Sequence, residues 1–247
     1  MRKNIPQTEQ TYKKNKPIDY LSDVDAISLM IKEQKGASSS VYEAIKSIEI
    51  STNKIYQHLS LNPNGRLIYV GAGTSGRIGV QDGVELLPTF SWPETRLDYI
   101  IAGGEEAVLK SIENAEDDIL EATEIVSKKL INSEDVIIAL AASGNTPFTC
   151  KVLEEANKKN ALTIAISNNP NGKLLEFGKC KIILDTKEEL ISGSTRLKAG
   201  TAQKICLNII SSMVMVKMGR VKNGIMSHMV PTNQKLRERK IRIDNQI

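Results

Sequence analysis

Histidine, cysteine and aromatic side chains are scarce in this sequence, and each scarcity removes a class of chemistry. The two histidines, His58 and His228, lie far apart, and no cluster of histidine and cysteine with metal-ligand spacing can be assembled, so neither a metal nor another cofactor is expected. Cys150, Cys180 and Cys206 are odd in number and lack Cys-x-x-Cys spacing, which reads as buried reduced thiols. Three Phe, six Tyr and one Trp with a net charge of +4 give no basic and aromatic surface, so nucleic acid is not an expected partner. Long apolar runs are missing too: none approaches the about 18 residues of a membrane span. Met1 to Lys16 is polar, without the apolar core of a signal peptide. A cytoplasmic protein with no membrane partner is the expectation.

What is present is an ordinary globular composition, 40% hydrophobic and 25% charged, in 247 residues, enough for one large domain with appendages. The apolar run Leu67 to Val70 opens directly into Gly71-Ala72-Gly73-Thr74-Ser75-Gly76-Arg77. A buried strand breaking into glycines and hydroxyls before a helix makes an anion site, because the helix start supplies unpaired N–H groups and the positive end of the dipole. Gly71, Gly73 and Gly76 also satisfy the dinucleotide spacing. A nucleotide would require an acidic residue closing the next strand, whereas Asp98 falls inside the strand Leu97 to Ile101, so a small phosphorylated ligand is the better reading.

Along the chain, residues 1 to about 22 read as an arm. Asp23–Gln34 and Ser40–Leu59 read as helices, the second with Val41, Ile45, Ile48, Ile55 and Leu59 on one face and Ser38 to Ser40 as candidate caps. Asn62-Pro63-Asn64-Gly65 is a turn. Strands follow at Leu67–Val70, Leu97–Ile101, Asp135–Ala141, Leu162–Ile166 and Lys181–Leu184, with Glu105–Lys129 helical between the second and third. The alternation specifies an α/β fold, a three-layer α/β/α sandwich around a five-stranded parallel sheet with an N-terminal helical arm. The boundaries expected are residues 1–60 for arm and helices, 61–218 for the core and 219–247 for a solvated basic tail carrying Lys235, Arg237, Arg239, Lys240 and Arg242.

Two further loops repeat the first device. Ala142-Ser143-Gly144-Asn145-Thr146-Pro147 follows the third strand, with Pro147 suited to a first helical turn. Ser192-Gly193-Ser194-Thr195-Arg196-Leu197-Lys198 opens a long helix whose buried stripe reads as Ala202, Ile205, Cys206, Ile209, Ile210 and Met213. Phosphate contacts are expected from Gly73, Thr74, Ser75, Ser143, Gly144, Ser194, Thr195 and Lys198, with Arg196 nearby. Each hydroxyl could equally cap its helix, and the two roles are compatible.

These loops, with Ala102-Gly103-Gly104-Glu105 and the run Gly193 to Lys204, resemble the N-acetylmuramic acid 6-phosphate etherases, sugar isomerase (SIS) domain proteins of bacterial cell-wall recycling. The resemblance runs from about Thr8, in a Thr-Glu motif, to Arg242. It implies a SIS fold, a homodimer, a sugar-phosphate substrate, no metal or nucleotide, and cleavage of the D-lactyl ether to N-acetylglucosamine 6-phosphate and D-lactate. It also places two catalytic carboxyl groups, an acid at Glu85 and a second at Glu116 handling the C2 proton, with the division of labour between them less secure than their identity. Glu85 is bracketed by Val84 and Leu86, which implies a buried carboxyl; Glu116 could instead belong to a solvated helix face. The sequence departs from the family at Gly83-Val84-Glu85-Leu86-Leu87-Pro88, usually Ala-Ser-Glu-Cys-Pro-Pro, and at Asn145, often arginine. The family also continues into a small C-terminal helical domain beyond the last residue here. Open alternatives are a non-catalytic sugar-phosphate sensor and an aldose–ketose isomerase.

Overall fold

A computed structural model describes residues 5–14, 16–229, 231, 234, 237 and 238. The helices and strands run, in order, α1 (Asp23–Glu43), α2 (Ile45–Leu61), β1 (Leu67–Gly71), α3 (Gly73–Val84), α4 (Leu86–Phe90), β2 (Leu97–Ile101), α5 (Ile119–Lys128), β3 (Val136–Ala141), α6 (Pro147–Lys158), β4 (Leu162–Ser167), α7 (Leu174–Phe177), β5 (Cys180–Ile183) and α8 (Lys198–Lys217). The five strands form one parallel sheet in the order β2-β1-β3-β4-β5.

The central strands β1 and β3 are buried along their whole length, which is why they read as unbroken apolar runs. Alternate side chains feed two cores. Leu67, Tyr69, Val136, Ile138 and Leu140 pack under α2 and α8, while Ile68, Val70, Ile137, Ala139 and Ala141 pack under α5 and α6. The three layers are therefore as expected, and all five carboxyl-terminal strand ends share one edge. α8 is long and apolar enough to match a membrane span by composition, but it lies inside the fold against α1, α2 and α3.

Several local expectations change. No break separates residues 34 and 40: Ser38 and Ser39 return their hydroxyls to the Lys35 carbonyl and Ser40 to that of Ala37, so they satisfy themselves inside α1 instead of capping a second helix. The helix between β2 and β3 is shorter than Glu105–Lys129. Left-handed Asn114 interrupts the segment, 3-10 turns occupy Glu105–Val108 and Ala115–Asp117, and Asp118 caps α5 through the Leu120 and Glu121 N–H groups at 3.0 and 2.8 Å. On α8, Ala202, Cys206 and Ile210 are buried, but Ile209 and Met213 face outward and Ile205 is half-buried; Leu207, Val214 and Met215 take the inner positions. The three cysteines are free and buried.

The described part of the tail is partly docked. Arg220 lies over the Trp92 ring and donates to the carbonyls of Phe90 and Ser91, and Met229 is buried. Arg237 is exposed, while Lys235, Arg239, Lys240 and Arg242 lie outside the described residues.

A buried carboxylate ties α3 to the sheet and to α8. Asp82 accepts from the Tyr69 hydroxyl at 2.6 Å, the Asn208 side-chain amide at 2.6 Å and the Ser211 hydroxyl at 3.1 Å. Replacing Asp82 with alanine strands three donors in the interior. We expect a loss of about 3 kcal/mol, read as a lower denaturant midpoint at unchanged m-value.

Candidate functional site

At the carboxyl edge of the sheet a cavity of about 490 Å³ opens between the first two loops. Its walls are Ala72, Gly73, Thr74 and Ser75 after β1, Ala142, Ser143, Asn145, Thr146 and Pro147 after β3, Gly193 and Thr195 from the third loop, Pro6 and Glu9 from the N-terminus, and Glu116 with Asp117. β1 and β3 are hydrogen-bonded neighbours, so the starts of α3 and α6 arrive side by side. Neither helix has a side-chain cap, so the first N–H groups of α3, and those that follow Pro147 in α6, keep no capping side chain, and both positive dipole ends lie at the cavity. Pro147 opens α6 as its sequence position implies.

The sequence-derived set is only partly assembled here. Gly73, Thr74, Ser75, Ser143, Thr195 and Glu116 line the cavity. Gly144 sits behind the wall at φ 72, where an added Cβ would come within 2.5 Å of Gly172 Cα, and its carbonyl accepts from the Leu174 N–H. Ser194 and Arg196 are not among the lining residues.

Lys198 corrects the expectation most sharply. It is buried, with its ammonium 3.2 Å from Glu33 Oε2 and 2.9 Å from the Glu188 carbonyl, so it cross-links α1 to the third loop and does not reach the cavity. The start of α8 is occupied as well. The buried carboxylate of Glu189 accepts from the N–H groups of Lys198 and Ala199 at 3.1 and 2.7 Å, the role assigned to Ser194 or Thr195. Of the three helix starts, α3 and α6 are open to an anion and α8 is closed by a protein carboxylate.

Glu85 is exposed at the far end of α3, and Val84 beside it is half exposed, so the buried setting implied by its apolar neighbours is absent. α3 has 12 residues and so separates Glu85 from the cavity by roughly 18 Å. Glu116 is carried instead by the segment following β2. Arg77 of α3 holds that segment by donating to the carbonyls of Ala107, Val108 and Lys110 at 3.0, 3.1 and 2.7 Å. That clamp was unreadable in sequence, as was the lining role of Glu9 and Asp117. Asp98 pairs with Lys129 at 2.5 Å and with Arg66 at 3.6 Å, which leaves it no part in ribose binding.

Burial pushes the Glu189 carboxyl above its ordinary range, against the opposing pull of the Ala199 and Lys198 N–H groups and the Lys198 charge. For a raised carboxyl the stabilising contribution is complete below the unfolded value, about 4.3, and is lost as pH rises through the folded one. The stability advantage of the native chain over Glu189→Gln is therefore expected to be larger near about pH 5 than near about pH 8 in denaturant titrations. A pH-independent difference would contradict the assignment.

The profile of the glucokinase regulatory protein N-terminal SIS domain matches residues 48–157. An N-acetylmuramic acid 6-phosphate etherase from Deinococcus radiodurans is 43% identical over 237 residues, which cover 96% of this chain and 77% of that protein. One from Lactococcus lactis is 40% identical, with 96% and 79% covered. Among solved structures, a phosphoheptose isomerase from Francisella tularensis superposes with a TM-score of 0.60 at 18% identity, covering 79% of this chain and 100% of that one. The phosphoheptose isomerase of Neisseria gonorrhoeae gives 0.55 at 14% identity, covering 80% and 100%, and at such identities the likeness establishes the shared fold. Similarity at 40% and above over nearly the whole sequence is of another order: the chain belongs to the N-acetylmuramic acid 6-phosphate etherase family, built on the SIS fold.

Proposed function

We propose that this chain cleaves the D-lactyl ether of N-acetylmuramic acid 6-phosphate, giving N-acetylglucosamine 6-phosphate and D-lactate, and that it does so as a cytoplasmic homodimer in cell-wall recycling. The observation that carries the reading is Glu116 opening into the same cavity as the uncapped starts of α3 and α6. The phosphate is held by N–H groups and by the hydroxyls of Thr74, Ser75, Ser143 and Thr195. With the phosphate anchored, the opened sugar presents an aldehyde at C1, which makes the C2 proton acidic. Glu116 removes that proton, the C3–O bond breaks, and the departing lactate oxygen takes a proton from an acid; water then adds across the double bond. The carboxyl group needed as acid is Glu85.

Glu85 lies too far along α3 to serve the cavity of its own chain, so in this reading it serves that of a second copy. Exposed apolar stripes support self-association: Val24, Ile27 and Ile31 on α1, and Ile209, Met213 and Val216 on α8. The match to a regulatory-protein SIS profile favours, as the second reading, a sensor that binds a sugar phosphate without turnover. Such a sensor has no use for Glu116 at the cavity.

Incubation with N-acetylmuramic acid 6-phosphate followed by assay of free lactate decides between them, since no release at high protein concentration would sink the etherase reading. Glu116→Gln is expected to lower lactate release by about 10² to 10⁴, with affinity for N-acetylglucosamine 6-phosphate within a few-fold. Glu85→Gln should behave alike. Mixing the two inactive variants should restore about a quarter of native activity, because half of randomly paired dimers carry one complete site. No recovery after subunit exchange would place Glu85 outside the partner's site.

A further inference from the structure

We propose that Glu9 is a specificity-determining residue of this site, accepting hydrogen bonds from the hydroxyl and amide N–H donors of the amino sugar on the Gly193 side of the cavity. The inference rests on the sugar-phosphate reading above. Residues Gln7–Glu9 form a 3-10 turn whose central Thr8 is fully buried, which fixes the turn against the body of the protein. Beyond it the chain is pinned twice along the third loop. The Tyr12 N–H donates to the Ser192 hydroxyl at 3.0 Å, and the Lys14 ammonium pairs with Glu188 at 3.0 Å. Residues 8 to 14 are thus a strap laid over the segment 188–193, and Glu9 is where that strap meets the cavity.

The carboxylate is held close to the loop backbone. Gly193 adopts φ 77, and a Cβ added there would stand 3.2 Å from Glu9 Oε2, so the bare glycine leaves room for the carboxylate above it. Charge then assigns its ligand. The cavity is lined by three carboxylates, Glu9, Glu116 and Asp117, and by no lysine or arginine among the described residues. An ionised carboxylate accepts hydrogen bonds and donates none, and beside a phosphate it would be repelled. The phosphate belongs at the starts of α3 and α6, which leaves Glu9 to face the neutral donors of the sugar. Substrates that carry a phosphate but lack those donors lose its contribution.

The test compares the native chain with Glu9→Gln and Glu9→Ala by calorimetric titration of N-acetylglucosamine 6-phosphate and of inorganic phosphate, alongside lactate-release kinetics. We expect the sugar phosphate to bind about tenfold more weakly to Glu9→Ala, with inorganic phosphate affinity unchanged, KM raised and kcat within about threefold. Sugar-phosphate affinity equal to the native value overturns the inference. Equal loss for inorganic phosphate and sugar phosphate also overturns it, since that means the third loop has collapsed. Glu9→Gln, which keeps shape and one acceptor, is expected to fall between; a drop below the alanine variant contradicts the acceptor role. Ser192→Ala, which loosens the strap, should weaken the sugar phosphate selectively if Glu9 must be held in place. The binding arms are read independently of turnover, so a native chain that releases no lactate fails the etherase reading while leaving the role of Glu9 to the titrations.

Discussion

A carboxylate buried against the first N–H groups of α8 settles how this site handles charge. Three loops of similar composition lead from a strand or an extended segment into a helix, and an anion could be drawn to any of them. Glu189 occupies the third helix start from within, and Lys198 is turned away toward Glu33, so the cation that would otherwise attract phosphate is used in the cross-link between α1 and the third loop. The remaining two starts belong to α3 and α6, which follow adjacent strands and therefore point into one small volume. Closing one helix start thereby leaves the other two as the open anion positions of the cavity.

On the proposed function, that arrangement holds a dianion with dipoles and hydroxyls and leaves the carboxylates free for other work. Arg77, the last residue of the first loop, is spent on three backbone carbonyls. Its service is mechanical: it fixes the irregular segment after β2 on which Glu116 stands. Fixed N–H groups at the helix starts need little rearrangement to receive an oxyanion, whereas a lysine side chain must be ordered for the same contact.

The sheet was legible in the sequence because its inner strands β1, β3 and β4 are buried on both faces and show as apolar runs that open into glycine and hydroxyl loops. The two cavity loops that follow β1 and β3 were legible for the same reason. What failed were inferences that depended on where a side chain turns. Ser38 to Ser40 look like caps, yet they bond back to their own helix. Ser194 and Thr195 look like caps, yet a glutamate distant from any helix motif does that work. Lys198 sits in the right segment for phosphate, but packing against Gly36 and pairing with Glu33 carry it the other way. Glu85 looked buried from its neighbours Val84 and Leu86, but it sits at the junction of two helices, where Val84 ends α3 facing outward and Leu86 begins α4 facing inward. Long-range partners of this kind leave no local periodicity to read.

The loops after β3 and β4 meet backbone to backbone at Gly144 and Gly172, each occupying the space that the other's side chain would need. A Cβ added at either would also crowd the Ser167 hydroxyl at the end of β4. Neither position can accept a side chain while the other loop stays where it is. The two loops are therefore not independent variables: a change of backbone in the loop after β3, which walls the cavity, must be matched in the loop after β4, which backs it. The N-terminal strap and the irregular stretch after β2, which bring Glu9 and Glu116 to the cavity, lie outside that lock and are the walls whose shape can change without disturbing it.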